Sequence, residues 1–145
     1  MATTRIIPMH LNKGKTLAQC LADRTEYGMN PDKTEGGALI SAFACEPETA
    51  VSEFALSKRE YRELTGRVQE SDVIAYQVRQ SFKPGEITPE EANRVGYETA
   101  MRWTKGKYQF FVCTHTDKAH IHNHIYFNAT AFDRSRKFHN FIGSS

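Results

Sequence analysis

Four of the six histidines fall inside one stretch, His115-Thr116-Asp117-Lys118-Ala119-His120-Ile121-His122-Asn123-His124. Neutral imidazole is the commonest metal-ligating side chain, and three such rings converging on one point suit a divalent transition ion. Because these donors carry no charge, the ion they hold remains a Lewis acid toward an anionic substrate. Side chains alternate between the faces of a strand, so His122 and His124 share a side wherever this segment is extended. The third donor is either His115, reaching the same face from a preceding strand, or His120, if the strand begins early enough. Asp117 can orient a ligand imidazole from behind, or else it shapes a turn.

A second chemical candidate is a tyrosine. Of the six in the chain, Tyr61, Tyr76, Tyr97, Tyr108 and Tyr126 sit within periodic apolar segments and read as packing groups. Tyr27 instead stands at a helix end, before the polar turn Asn30-Pro31-Asp32-Lys33-Thr34. A free phenol ionises only near pH ~10, so a phenol used as a nucleophile needs positive charge or a base beside it. Lys33 can hold an anionic strand close to Tyr27. The basic residues gather in turns and at segment ends, among them Lys33, Lys83, Arg136 and Lys137, where they can line a groove for a polyanion.

These groups must be positioned by regular elements. Residues 4–11 read as a short strand that Pro8 confines to an edge or ends. From Thr16, apolar residues at helical spacing predict a helix that Gly28, Asn30 and Pro31 stop just after Tyr27. A strand is predicted over Ala38 to Ala44 and a helix over Pro47 to Leu64. The next strand, residues 71–82, puts Val73, Ala75 and Gln77 on one face and Ile74, Tyr76 and Val78 on the other. Thr88-Pro89-Glu90-Glu91 predicts a helix start with a threonine cap, a proline in the first turn and a capping box closed by Glu91. That helix runs to Lys105-Gly106. The strands Tyr108–Thr114 and Ile121–Ala131 then form an antiparallel hairpin around Thr116-Asp117-Lys118-Ala119. Trp103 and Phe110-Phe111 read as core. The order strand, helix, strand, helix, strand, helix, strand, strand describes one α+β layered domain.

Composition sets the frame. A chain of 145 residues, 39% hydrophobic and 25% charged, has the length of one domain. No apolar run approaches the roughly 18 residues of a membrane span, and the N-terminus has no signal-peptide pattern. The net charge of +2 makes no case for nucleic acid by itself, so any basic surface must be local. Cys20, Cys45 and Cys113 are odd in number and lack a C-x-x-C pair, which fits buried thiols in a reducing cytoplasm.

Three motifs, in this order along the chain, resemble those of the relaxases, the mobilisation nucleases of conjugative plasmids and transposons within the histidine-hydrophobic-histidine endonuclease class. Tyr27 with Asn30-Pro31-Asp32-Lys33-Thr34 is similar to their nucleophile motif. Gln80-Ser81-Phe82-Lys83-Pro84-Gly85-Glu86 is similar to their middle motif. His115-Thr116-Asp117, His122-Asn123-His124-Ile125 and Asn128 are similar to their metal motif. The likeness is to the mobilisation relaxases of Gram-positive bacteria and their integrative elements. It implies a central antiparallel sheet flanked by helices, with the metal site on its central strands.

By the same resemblance, Tyr27 is the nucleophile, and His115, His122 and His124 are the metal ligands, with His120 an additional histidine. Ser81 contacts DNA, and the ion is Mn2+ or Mg2+, although imidazoles would also accept Zn2+, Ni2+ or Co2+. The implied reaction is strand-specific nicking of a transfer origin through a 5′-phosphotyrosyl intermediate. The implied partners are transfer-origin single strands, a relaxosome accessory protein and the coupling protein of a type IV secretion channel, with no membrane contact. The chain then reads as the N-terminal catalytic core, residues 1–145, of a longer cytoplasmic protein. A rolling-circle replication initiator or transposase would share the tyrosine and histidines, but the tyrosine-first motif order favours a relaxase. The readings from other classes are a metal-stabilised single-strand-binding module without cleavage and a metallohydrolase using bound water.

Overall fold

The hairpin that carries the histidines is the centre of the fold. In the computed structural model, which describes residues 3–10, 14–66 and 73–131, five strands form one sheet. They are β1 (Thr3–His10), β2 (Ile40–Phe43), β3 (Val73–Ser81), β4 (Tyr108–His115) and β5 (His122–Ala131), in the spatial order β1-β3-β5-β4-β2. Every pairing is antiparallel. Three helices, α1 (Leu17–Thr25), α2 (Ala50–Thr65) and α3 (Pro89–Thr104), complete the α+β architecture in the expected order.

The element limits differ from the sequence expectation in instructive places. Thr16 and Gln19 form a full reciprocal capping box at the start of α1. At α3 the Thr88 hydroxyl accepts from the Glu91 N–H at 3.2 Å. The Glu91 carboxylate, however, accepts from that same hydroxyl at 2.8 Å rather than from the cap backbone. Helix α1 ends at Thr25, where the side-chain hydroxyl bonds back to the Leu21 carbonyl at 2.9 Å. Tyr27 therefore lies in the following turn rather than on the helix. The segment from Pro47 opens as a 3₁₀ turn, Pro47–Thr49, before α2 begins. Strand β2 is cut short because Ala44 adopts φ 59°, which extended pairing does not tolerate. Pro8 sits in an edge strand, as its missing N–H requires.

Alternation sorts the sheet into two faces. On one, Phe110 and Val112 of β4, Ile125 and Phe127 of β5, and Tyr76 and Val78 of β3 pack beneath α3. The helix comes close because residue 96 is glycine: a Cβ there would stand 2.6 Å from Asn123 Nδ2 and 2.7 Å from Val112 Cγ1. Asn123 is fully buried under α3, donating to the Ala92 carbonyl at 2.7 Å and to Gln80 Oε1 at 2.9 Å and accepting from the Thr114 hydroxyl at 2.6 Å. Between two ligand candidates in sequence, it anchors β5 from behind.

The other face is covered over only part of its length. Met9, Ala75, Phe111, Cys113 and Tyr126 pack with Cys20 and Leu21 of α1 and Phe54 of α2. Beyond them this face ends in polar groups. Strand β4, covered on both sides, is buried at every position, which accounts for its continuous apolar run. Cys20 and Cys113 are buried and Cys45 is half-buried, all as free thiols. Among the described residues no helix is long and apolar enough to cross a membrane.

Candidate metal and nucleophile centre

The β4–β5 register sets His115 directly opposite His122 and Cys113 opposite His124. Parity then places all three histidines on the partly covered face. One nitrogen from each lies within 4.8 Å of the others. His120 is not among them. Strand β5 begins at His122 rather than Ile121, which leaves His120 exposed in the connecting turn.

The hydrogen bonds around the rings define which nitrogens carry lone pairs. A carbonyl only accepts, so His115 Nε2–H donates to the Gly28 carbonyl at 2.9 Å, and His122 Nδ1–H donates to the His120 carbonyl at 3.2 Å. The remaining nitrogens, His115 Nδ1 and His122 Nε2, face each other at 3.2 Å. Two neutral lone pairs at that distance repel unless a cation lies between them. The Gln77 amide nitrogen stands 2.8 Å from His124 Nδ1 and donates to it as placed. Reversing the near-isosteric amide would present its oxygen, make Nδ1 the donor and free the Nε2 lone pair for an ion. His124 Nε2 is buried with no hydrogen-bond partner. The ligands of one ion bonded at ~2.1 Å stand roughly 3–3.5 Å apart, the separation of the His115 and His122 nitrogens. An orphaned buried nitrogen and two opposed lone pairs are the donor set a divalent ion requires, so these residues fit the metal.

Burial holds the His124 pKa down to about 3, helped by His115 and His122 and by the nearby positive charges of Arg79 and Lys33. Burial also lowers His115. Both rings are neutral at physiological pH, as ligands must be. In the unfolded chain His124 titrates near 6.5, so between 6.5 and about 3 the unfolded state binds the extra proton. Stability of the metal-free chain is therefore full above pH 6.5 and falls as pH drops through this window, by up to about 1.4 kcal/mol per unit. Urea unfolding at neutral and mildly acidic pH, in chelator, should show this loss and a flatter dependence in His124→Gln. Equal stability at the two pH values in the unsubstituted protein would contradict it.

Tyr27 lies against this cluster. Its ring meets His115 edge-on with centroids 5.3 Å apart and His124 at 5.5 Å, and it is 46% exposed. The turn that carries it is fastened to the histidine hairpin at four points. Besides the bond to Gly28, the Thr116 N–H donates to the Lys33 carbonyl at 3.0 Å and the Thr114 N–H to the Leu39 carbonyl at 3.0 Å. The Lys33 ammonium pairs with Asp117 at 2.6 Å. The same ammonium stands 4.9 Å from the Tyr27 ring centroid.

The expected role of Asp117 behind a ligand histidine is not what its carboxylate does. It binds Lys33, and that hydrogen bond lowers its own pKa and raises that of Lys33. The rings are oriented by the Gly28 and His120 carbonyls and by Gln77 instead. Lys33 is correspondingly held between Asp117 and Tyr27. Ser81 is exposed at the end of β3, paired in register with His122. Lys83 is exposed in the turn that follows, where its N–H donates to Glu86 Oε2 at 2.8 Å. Arg136 and Lys137 lie outside the described residues.

Gly28 and Gln77 were not foreseen as site residues. Gln77 was legible only as a polar residue on a face shared with Ala75, and the role of Gly28 depends on contacts distant in sequence.

Residues 27–144 match the family model of the relaxase, MobA/VirD2-like, nuclease domain. The chain belongs to the relaxase family. The matched span opens on Tyr27 and takes in the whole histidine hairpin. This relaxase chain is similar to a group II intron-interrupted relaxase, LtrB, of Lactococcus lactis subsp. cremoris. The two are 32% identical over 132 residues, covering 77% of this chain and 23% of the relative. It is also 40% identical over 98 residues to the protein rlx of Staphylococcus aureus, covering 68% of this chain and 29% of the relative. The relaxase chain thus spans about a quarter of the length of the curated relatives it matches.

Proposed function

We propose that this relaxase domain nicks one strand of a transfer origin by transesterification and remains attached to the DNA through Tyr27. In the reaction the Tyr27 Oη attacks phosphorus, and the bond from phosphorus to the 3′ oxygen breaks. The phenol gives up its proton and the departing strand ends as a 3′ hydroxyl. The phosphotyrosyl ester keeps the energy of the broken bond, so the strand can later be rejoined. The observation that carries this reading is the contact of an exposed tyrosine ring with two rings of a three-histidine cluster.

The Gly28 carbonyl holds His115 in the tautomer that turns its Nδ1 lone pair inward, and Gln77, with its amide oxygen turned to the ring, would do the same for Nε2 of His124. Lys33 brings a positive charge to the Tyr27 ring, and Asp117 fixes that charge in place. Held by His115 Nδ1, His122 Nε2 and His124 Nε2, a divalent ion would polarise a phosphate oxygen and spread the charge developing on it. Ser81 and Lys83, with Arg136 and Lys137, contact the DNA backbone in this reading. The full-length protein acts in the cytoplasm with an accessory DNA-binding partner and the coupling protein of a secretion channel, and this chain is its catalytic core.

The test is incubation of the chelator-treated protein with labelled single strands carrying a transfer origin, with Mn2+ or with EDTA, followed by denaturing electrophoresis. A denaturant-stable adduct, mapped by mass spectrometry to the peptide containing Tyr27, is the expected result. Chelation should slow its formation about a hundredfold or more. Cleavage to free ends with no attached protein would replace this reading with a hydrolase, and binding without cleavage would replace it with a binding module.

A further inference from the structure

The histidine face continues past the cluster toward the β1 edge. In register, Arg5 of β1 stands opposite Arg79 of β3, and Arg79 in turn stands opposite His124 of β5. Next to this row, Ser81 stands opposite His122. Parity puts Arg5, Arg79, Ser81 and the histidines on one side of the sheet. Thr4, Arg5, Arg79, Ser81 and His122 together line an open groove of about 490 Å³. That volume lies within the roughly 300–1,000 Å³ range of small-ligand clefts, enough for a phosphate with its sugar.

The arginine pair is unusual on its own terms. Like charges directly opposite each other on neighbouring strands are unfavourable. Among the described residues neither guanidinium has an ion-pair partner, and both residues are exposed. What such a pair lacks is an anion, and the guanidinium fork matches phosphate geometry in two parallel bonds. The groove reaches the cluster at His122, and the turn carrying Tyr27 is fastened to the cluster from the β4 side. A strand whose reacting phosphate sits at the histidines would therefore carry an adjacent phosphate into the groove.

We propose that Arg5 and Arg79 form a clamp, with Ser81 beside them, for a backbone phosphate of the bound single strand next to the one that reacts. This rests on the nicking function proposed above. Phosphate contacts fix register without reading sequence, so the pair acts as positioning residues that seat the scissile bond under Tyr27.

The clamp is tested by measuring affinity for a fluorescein-labelled oligothymidylate by anisotropy, from about 50 to about 200 mM salt, for the unsubstituted protein and for Arg5→Gln combined with Arg79→Gln. The double variant should bind roughly five- to tenfold more weakly at low salt, and its slope of log affinity against log salt should be shallower by about 0.7, one phosphate's worth. Arg5→Lys with Arg79→Lys should recover the slope but not all the affinity, because an ammonium keeps the charge and loses the fork. A glutamine double variant with unchanged slope and affinity overturns the clamp and leaves the nicking function standing. Failure of the unsubstituted protein to bind either this strand or a transfer-origin strand overturns both.

Discussion

Replacing Tyr27 by phenylalanine is expected to abolish the covalent protein–DNA adduct while leaving the domain folded. The substitution removes one hydroxyl from a ring that is nearly half exposed, and keeps the ring packed against His115 and His124 and under the Lys33 ammonium. Surface changes of this size shift stability by no more than about 0.5 kcal/mol. The proposed transesterification, in contrast, loses the atom that would form the new bond. No other tyrosine can substitute: Tyr61, Tyr76, Tyr108 and Tyr126 are buried, and Tyr97, on α3, packs against Phe110 on the opposite face of the sheet. Denaturing electrophoresis with the transfer-origin strand measures the adduct, and circular dichroism checks the fold. An adduct forming at the unsubstituted rate in Tyr27→Phe would remove Tyr27 from the mechanism.

Gly28→Ala should be nearly as damaging, although alanine adds a single methyl group. A Cβ at this position would stand 2.5 Å from the Tyr126 hydroxyl and 2.6 Å from its ring carbon Cε2. Tyr126 cannot retreat, because it is fully buried and stacked on Phe111 with ring centroids 5.0 Å apart. The backbone of the turn must move instead, which draws the Gly28 carbonyl away from His115 and lifts the neighbouring Tyr27 ring off the cluster. Overpacking of this kind costs about 1–3 kcal/mol of stability. A displacement of about 1 Å at a nucleophile costs roughly a hundredfold in rate. The rate of adduct formation at saturating strand, set beside a urea melt, separates the two effects. A folded Gly28→Ala protein with an unchanged rate would show that the turn tolerates the shift.

Much of the architecture was legible because its signals are local. The apolar alternation of β4 and β5, the capped start of α3 and the turn residues around Lys83-Pro84-Gly85-Glu86 each lie within a few positions of the element they define. Parity alone put His122 and His124 on one face. The third ligand candidate could not be chosen that way, because it depended on whether the strand reaches back to His120, two residues before β5 begins, and the His120 carbonyl is used to orient His122 instead. Other features depend on partners far apart in sequence. Lys33 meets Asp117 across 84 residues, and Gly28 meets His115 across 87. The opposition of Arg5 and Arg79 exists only once β1 has paired with β3 in its register. Local pattern carries no information about such pairings.

The strand order has a consequence in time. Both edges of the sheet, β1 and β2, come from the first 43 residues, while the three strands between them come later in the chain. A ribosome therefore releases Tyr27 well before any surface exists on which it can dock. Tyr27 and the three histidines become neighbours only after synthesis has passed His124. Until then the nascent chain carries Tyr27 without the hairpin against which its ring packs.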